Sequence, residues 1–332
     1  MRKPAVSVIL PFSKEENWLQ ESVNSLLQQT FNDFELLLTG NNTNDETLQL
    51  AKKISAGDKR IQLVEKEGYH LGQVLNSVIP LTRGKYIARM DADDFALPDR
   101  LQRQFEHLEN NPGIGLSAVA TGPHPTAVTG EGFLNFMHWQ NSLIHAEAHY
   151  QYRFVEATVA HPAVMMRREI FDAAGYYPEQ GPEDFGLWLQ WMNAGVRFEK
   201  IPEILLYWRD HADRLSRTGT AYAAEAFTRV KIQYAAPVIL QHAGQRNIIL
   251  CGAGKEAWAK KLRWEAAGIR FHGYSDLLQR NRDLPYYDPE KIGHDKNAYY
   301  ISLLHGRGKA AEMQAFFQSR GLIPDADYLL AS

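Results

Sequence analysis

Cysteine is almost absent from this chain of 332 residues, in which Cys251 stands alone. A single cysteine excludes an internal disulfide framework and favours a reducing compartment. Long apolar runs are also missing, and nothing approaches the roughly 20 residues of a membrane-spanning helix. The first apolar segment is short and interrupted by Pro11, unlike a signal peptide. We therefore expect a cytoplasmic protein without a transmembrane span, for which any membrane contact would be peripheral.

The sequence has no marked excess of either charge, with 36 Lys and Arg against 39 Asp and Glu. No basic stripe with interleaved aromatic residues is present, so nucleic acid is not an expected partner. Hydrophobic residues make up 45% of the chain. Together with the length, this composition predicts a globular protein of about two domains.

Short β-branched and apolar segments alternate with helical patterns through the first third of the chain. The segments that predict strands are 5–12, 34–39, 61–65 and 85–90. Ser13 and Glu16 have the spacing of a capping box, and Asp45 is placed to cap the second helix. The alternation predicts an α/β fold with a mainly parallel sheet and helices on both faces. Residues 114–160 show no pattern from which elements can be assigned.

The segment "YIARMDADDFALPDRL" places Asp91, Asp93 and Asp94 directly after the fourth predicted strand. Ligands of parallel sheets bind beyond the carboxyl ends of the strands, and carboxylates suit Mg²⁺ or Mn²⁺. The alternative is a solvated acidic turn in which Asp94 or Asp99 caps the next helix. The residues alone leave both interpretations open.

Several motifs occur in a fixed order around these aspartates. They are "VSVILPF", "FELLLT", "GKYIARMDADD", "PDRLQRQ", "HPAVMMRREIFDAAGYY", "PEDFGLWLQWMNAG" and "LLYWRDHADRLS". Together they closely resemble family 2 glycosyltransferases with the glycosyltransferase A fold, over about residues 4–217. The resemblance implies an inverting, metal-dependent hexosyltransferase that moves a sugar from a nucleotide diphosphate to a hydroxyl of a glycan or lipid-linked glycan, as in bacterial surface polysaccharide synthesis.

The resemblance also implies roles for individual residues. Asp184 would be the catalytic base, with Glu183 as its nearest competitor. The ligands of Mn²⁺ or Mg²⁺ would be Asp93, Asp91 and His211. The donor would contact Pro11, Asn41, Asn76, Arg89, Asp91, Arg209 and His211, and the acceptor would contact His161 and Trp188. Several of these residues have a structural alternative. Glu183 and Asp184 could complement the dipole at the start of a helix, and Arg209 and His211 lie in "RDHADR", which has the composition of a surface charge run. Trp188 could be a core residue, as tryptophans at helical spacing often are.

The chain departs from the family pattern on the side that binds the donor base. Gly40 and Asn41 stand where the family usually has two acids, and Ser13 and Lys14 replace an aromatic–asparagine pair. An amide both donates and accepts hydrogen bonds, whereas a carboxylate only accepts. A UDP-sugar is the expected donor, and the base remains open. A non-catalytic sugar-nucleotide binding protein is the alternative that these departures suggest.

A second pattern of strand, glycine loop, helix and strand begins near residue 246. Gly252, Gly254 and Asp276 match the dinucleotide-binding fingerprint. They are candidates for an accessory nucleotide site, or for a tight turn with a structural role, which the small size favours. A nicotinamide-dependent oxidoreductase is a further alternative. We expect a catalytic domain over 1–218, a helical linker over 219–245 and a small Rossmann-like accessory domain over 246–332.

Overall fold

The structure is a computed structural model that describes residues 2–15, 17–66, 70–304 and 306–331. Glu16, the second member of the predicted capping box, lies outside this part. The chain forms two compact units, one of residues 1–150 and 158–226, the other of residues 151–157 and 227–332. In the described ranges no helix is long and apolar enough to cross a membrane.

The first unit is built on one sheet of eight strands. They are β1 (Val6–Phe12), β2 (Phe34–Asn41), β3 (Ile61–Lys66), β4 (Tyr86–Arg89), β5 (Phe95–Ala96), β6 (Leu116–Pro123), β7 (Val164–Arg167) and β8 (Phe198–Trp208). Their order is β3-β2-β1-β4-β7-β6-β8-β5. Only β5 and β7 run against the other strands of this sheet. The predicted mainly parallel sheet is therefore confirmed.

Helices cover both faces of this sheet. In chain order, the helices up to residue 218 are α1 (Leu19–Leu27), α2 (Asp45–Gly57), α3 (Leu71–Val78), α4 (Arg100–Asn110), α5 (Glu131–Ser142), α6 (Ala146–Tyr152), α7 (Glu169–Ala174), α8 (Glu183–Asn193) and α9 (Leu215–Thr218). Alternate side chains of one strand enter different cores, as period-2 geometry requires. Val8 and Leu10 pack in one hydrophobic core with Val23 of α1, whereas Ile9 packs in the other with Leu75 of α3.

The structure corrects and completes the local predictions. Asn44, rather than Asp45, caps α2, because its side chain accepts a hydrogen bond from the backbone N–H of Thr47 at 2.7 Å. Residues 114–160 contain β6, α5 and α6. These elements have weak amphipathic patterns, and β6 is buried along most of its length, so period-2 alternation does not mark it.

The second unit contains a parallel sheet of four strands, β9 (Asn247–Cys251), β10 (Phe271–Ser275), β11 (Ala298–Ser302) and β12 (Tyr328–Leu330). Their order in the sheet is β10-β9-β11-β12. The remaining helices are α10 (Ala224–Ala243), α11 (Lys255–Ala266) and α12 (Arg307–Ser319). The short strand β12 follows α12, and its three residues carry too little pattern to mark it in the sequence.

Candidate active site

The topology brings distant segments to one edge of the large sheet. β4 ends at Arg89, so the aspartates emerge at its carboxyl end. β7 runs antiparallel to β4, which places the turn before β7, with His161, at the same edge. β5 pairs with the end of β8, Phe95 opposite Tyr207. This pairing carries the loop of Asp93 toward the residues that follow β8.

The aspartate cluster has the properties of a cation site. Ligand oxygens of Asp91, Asp93 and Asp94 lie within 4.8 Å of one another. Burial, together with the charge of Asp93, raises the pKa of both Asp91 and Asp94. Oδ2 of Asp94 is buried and has no hydrogen-bond partner among the described residues. A buried carboxylate oxygen without a donor is costly, and a divalent cation would satisfy it, so these residues fit Mn²⁺ or Mg²⁺.

Arg89 holds Asp91 from inside the protein. Its side chain is 0% exposed, and its Nη2 donates to Oδ1 of Asp91 at 2.6 Å. The other guanidinium nitrogens donate to Nε2 of His161 and to the carbonyl oxygens of Ile9 and Met90. The expectation that Arg89 contacts the donor is therefore corrected: no face of it reaches the surface, and it positions Asp91 instead.

Arg209 is also occupied by the protein. Nε donates to the carbonyl oxygen of Asp93 at 2.7 Å, Nη1 to Oγ1 of Thr126 at 3.0 Å, and Nη2 to Glu21 and His124. Its backbone N–H donates to Oδ1 of Asp94 at 2.9 Å. The residue is 6% exposed. Arg209 thus fixes the aspartate loop and has no guanidinium nitrogen left without a partner for a donor molecule.

His211 lies where a metal ligand is expected. Its Nε2 is 2.8 Å from Oδ2 of Asp93, and its ring packs against Trp18 with centroids 4.4 Å apart. Nδ1 is buried without a hydrogen-bond partner in the described part of the chain. The imidazole and the carboxylate therefore face each other, and both are common ligands of divalent metals.

Glu183 and Asp184 open α8 and differ in acidity. Burial, reinforced by the charge of Asp184, raises the pKa of Glu183 to about 8. Burial raises the pKa of Asp184 to about 6, while a hydrogen bond from the backbone N–H of Phe185 (2.7 Å) opposes the rise. The hydroxyl of Tyr222 donates to Oε2 of Glu183. Near neutral pH, Asp184 is the ionised member of the pair and can accept a proton.

The residues expected to contact the acceptor, His161 and Trp188, are buried. His161 is 6% exposed. Its Nε2 lies 2.9 Å from the hydroxyl oxygen of Tyr177, and its Nδ1 lies 3.8 Å from Oε1 of Glu183. Burial lowers its pKa well below the usual range, so the ring is neutral. Trp188 is 0% exposed and packs edge-on against His161. Its ring has no exposed face on which a sugar could stack, so its expected acceptor contact is corrected to packing.

Asn76 has a structural role in this arrangement. Its side-chain amide donates to the carbonyl oxygen of Tyr177 at 2.8 Å and accepts from the backbone N–H of the same residue at 3.0 Å. These paired bonds fix the segment that leads to α8. The second N–H of the Asn76 amide has no part in these two bonds, and its contact with the donor stays a prediction.

Pro11 and Asn41 lie at the carboxyl ends of β1 and β2, on the edge that carries the aspartates. The ring of Phe12 covers Gly40: a Cβ atom added there would lie 3.1 Å from Cζ of Phe12. Asn42 has a φ of 51°, a left-handed conformation that asparagine tolerates. The loss of an acid at position 40 therefore coincides with an aromatic ring that fills its space.

The glycine loop of the second unit is packed against Leu304 and hydrogen-bonded to Asp276. Gly252 has a φ of 95°, and a Cβ there would lie 2.4 Å from Leu304. Oδ2 of Asp276, the acid of the fingerprint, accepts from the backbone N–H of Ala253 at 2.7 Å. Gly254 precedes α11 as its N-cap. The geometry matches the structural alternative, because the acid binds the loop's own backbone.

Some residues at this edge were not identified from sequence. Glu21, His124 and Thr126 surround Arg209, and Tyr222 reaches Glu183 from the segment expected to be a linker. His124 and Thr126 follow β6, which itself lacked a recognisable pattern. Tyr222 lies 39 positions from its partner, and no local signal reports such a contact.

Residues 7–175 match the sequence profile of Glycosyl transferase family 2. This match covers half of the chain. The chain belongs to this family. It is a glycosyltransferase, and the prediction made from the ordered motifs is confirmed.

Relatives in other organisms agree with this assignment. An uncharacterized glycosyltransferase of Methanocaldococcus jannaschii is 30% identical over 213 residues, which cover 63% of this chain and 72% of the relative. The O-antigen biosynthesis glycosyltransferase WbnJ of Escherichia coli is 28% identical over 223 residues, 65% of this chain and 84% of the relative.

Two solved structures share the fold of this glycosyltransferase. S. aureus TarS 1-349 in complex with UDP-GlcNAc has a TM-score of 0.56 at 18% identity, covering 80% of this chain and 71% of that chain. The mannosyltransferase PcManGT from Pyrobaculum calidifontis, in complex with GDP-Man and Mn²⁺, has a TM-score of 0.51 at 15% identity, covering 80% and 70%. These likenesses support the glycosyltransferase A-type fold predicted from the sequence.

Proposed function

We propose that this glycosyltransferase moves one sugar from a nucleotide diphosphate donor to a hydroxyl of a glycan or lipid-linked glycan, with inversion at the anomeric carbon. The observation that carries the proposal is one sheet edge that gathers a three-aspartate cluster, with a buried oxygen lacking a donor among the described residues, and the carboxyl of Asp184 at the start of α8.

The donor class and pathway are inferred from the relatives. TarS is described with UDP-GlcNAc and PcManGT with GDP-Man and Mn²⁺. WbnJ is named for O-antigen biosynthesis. We therefore infer a nucleotide-sugar donor, a role in polysaccharide biosynthesis, and a divalent cation held by Asp91, Asp93, Asp94 and His211. When bound, such an ion neutralises charge that develops on the leaving diphosphate.

Asp184 removes the proton from the acceptor hydroxyl. The acceptor oxygen forms a bond to the anomeric carbon while the bond from that carbon to the diphosphate oxygen breaks, and the proton remains on Asp184. Glu183 is unsuited to this role because its pKa of about 8 keeps it protonated near neutral pH. One base is enough for a single displacement, which inverts the configuration.

Three variants test these roles. Asp93→Ala should lose both transfer and metal-dependent donor binding. Asp184→Asn should bind the donor with normal affinity and lose transfer by about 10²- to 10⁴-fold, the usual contribution of a general base. Glu183→Gln is the matched control, since it removes a neighbouring carboxyl and should retain most of the transfer.

The readouts are donor binding by calorimetry, with and without Mn²⁺, and transfer to a glycan acceptor array by mass spectrometry. Normal transfer by Asp184→Asn, with loss in Glu183→Gln, would reverse the assignment of the base. A donor affinity that is the same with and without Mn²⁺, and the same in wild type and Asp93→Ala, would remove the metal from the proposal.

A further inference from the structure

The first turn of α8 is not capped by its N-cap residue. Pro182 occupies that position, and its ring offers no hydrogen-bonding group to the free backbone N–H groups of the turn. Helix ends fray readily. Asp184 lies in this turn, so the direction of its carboxyl depends on further contacts that hold the turn in place.

Tyr222 holds this turn through the side chain of Glu183. Its hydroxyl donates to Oε2 of Glu183 at 2.5 Å, and Glu183 is only 2% exposed. The Cβ atom of Glu183 packs against α3, since a Cβ atom added to Gly72 would lie 3.1 Å from it. The side chain of Glu183 is therefore held both at its Cβ atom and at its carboxyl.

His161 faces the other oxygen of this carboxyl. Its Nε2 accepts a hydrogen bond from Nε of Arg89 at 3.1 Å, so the ring hydrogen is on Nδ1. Nδ1 lies 3.8 Å from Oε1 of Glu183, which is too long for a hydrogen bond but leaves an attraction between the N–H dipole and the carboxyl. Because Arg89 also binds Asp91, one row of contacts joins the aspartate loop to the start of α8.

Helix geometry transmits this restraint from Glu183 to Asp184. Successive side chains leave an α-helix about 100° apart, since one turn takes 3.6 residues. A Glu183 side chain that is fixed toward Tyr222 therefore fixes the direction in which Asp184 leaves the helix. Asp184 is less buried than either of its neighbours in sequence, as a group that must meet an acceptor requires.

We propose that Tyr222 is a positioning residue for sugar transfer, because its hydrogen bond to Glu183 fixes the first turn of α8 and thereby orients Asp184 toward the acceptor hydroxyl. This inference rests on the proposed role of Asp184 as the base. It gives a function to a residue of the segment that the sequence indicated only as a linker.

The test compares Tyr222→Phe with the matched control Tyr86→Phe. Tyr86 is buried, and its hydroxyl donates to Oε1 of Glu109 at 2.6 Å, at the end of β4 away from the aspartates. Each variant loses a hydrogen bond between a tyrosine hydroxyl and a carboxyl, so both should lower the thermal midpoint. Only Tyr222→Phe should lower kcat, by about 10- to 100-fold, since a misplaced catalytic group has an effect of this order. The KM values for donor and acceptor should stay as in wild type.

Further variants show whether the effect passes through Glu183 and Asp184. Glu183→Leu has no acceptor for the hydroxyl and should lose transfer as Tyr222→Phe does, whereas Glu183→Gln keeps an acceptor oxygen and most of the transfer. Adding Tyr222→Phe to Glu183→Leu or to Asp184→Asn should cause no further loss, because the hydrogen bond or the base is already absent.

Transfer by wild type is first measured with Mn²⁺ and a glycan acceptor array across a panel of UDP-, GDP-, CDP-, TDP- and ADP-sugars, and the donor used fastest serves for all variants. A wild-type kcat in Tyr222→Phe would overturn the inference. So would a loss of kcat that Tyr86→Phe shares, or one of equal size in the Asp184→Asn background, since both indicate a structural role. If wild type transfers from no donor, or Asp184→Asn transfers at the wild-type rate, the proposed function itself fails and the inference fails with it. That failure is visible in proteins that retain Tyr222.

Discussion

Replacement of Asp184 by Asn should remove activity and at the same time stabilise the folded protein. Burial raises the pKa of Asp184 from 3.8 to about 6. A difference of about 2 pKa units corresponds to roughly 3 kcal/mol of folding free energy. Asparagine carries no charge, and its side-chain oxygen can still accept the hydrogen bond from the backbone N–H of Phe185. The variant should therefore recover most of that free energy.

The sign of this effect depends on pH. The folded protein holds the Asp184 proton more tightly than the unfolded chain, so the carboxyl destabilises the fold increasingly as pH rises from about 4 to 6, and fully above that range. Asp184→Asn should thus unfold at a temperature roughly 5–10 °C above wild type at pH 8. The difference should vanish near pH 3. Transfer by wild type should rise with pH through about 6, as Asp184 ionises.

Thermal unfolding at a series of pH values, with initial rates over the same series, measures both effects. Glu183→Gln is the control. It should also raise the unfolding temperature, but this increase should continue to grow up to about pH 8, and the variant should retain its sugar-transfer activity. If the unfolding temperature of Asp184→Asn exceeds that of wild type by the same amount at every pH, desolvation of the carboxylate is not the cause of the difference. A variant less stable than wild type at pH 8 would refute the reasoning.

Three further substitutions test other parts of the structure. Arg89→Met should leave the carboxylate of Asp91 without its buried partner and lower the free energy of unfolding by about 3–5 kcal/mol, measured by urea denaturation. Gly40→Asp should lower it by about 1–3 kcal/mol, because the new Cβ meets the ring of Phe12; the double variant with Phe12→Ala should recover part of the loss. Asp276→Ala should lower the free energy of unfolding by about 1–3 kcal/mol and leave the transfer rate unchanged. In a thermal-shift assay, NAD should stabilise neither wild type nor Asp276→Ala.

The strands and their approximate limits could be predicted from local pattern. β1, β2, β3 and β4 are short, apolar and separated by helical segments, so periodicity and length identify them. Their common direction follows from the helical connections between them. β6 could not be found this way, since burial on both sides removes alternation. The antiparallel direction of β7 depends on a connection that no local pattern describes.

The chemistry of the site was partly visible in sequence. Three aspartates after a strand indicate a cation, and the order of the motifs indicated the family. The roles of the arginines were not visible. Only their hydrogen-bond partners in the folded chain show that Arg89 and Arg209 hold the aspartate loop.

The sequence by itself determined the fold class, the family and the position of the acidic cluster, because each depends on local spacing and on the order of motifs. The tertiary structure decided which groups are charged and which are occupied. The pKa of Asp184 and Glu183 depends on desolvation by neighbours from other segments. The occupation of Arg209 depends on Glu21 and His124, which come from other segments of the chain. Burial and hydrogen bonding between distant segments are set only when the chain is folded, so no local pattern contains them.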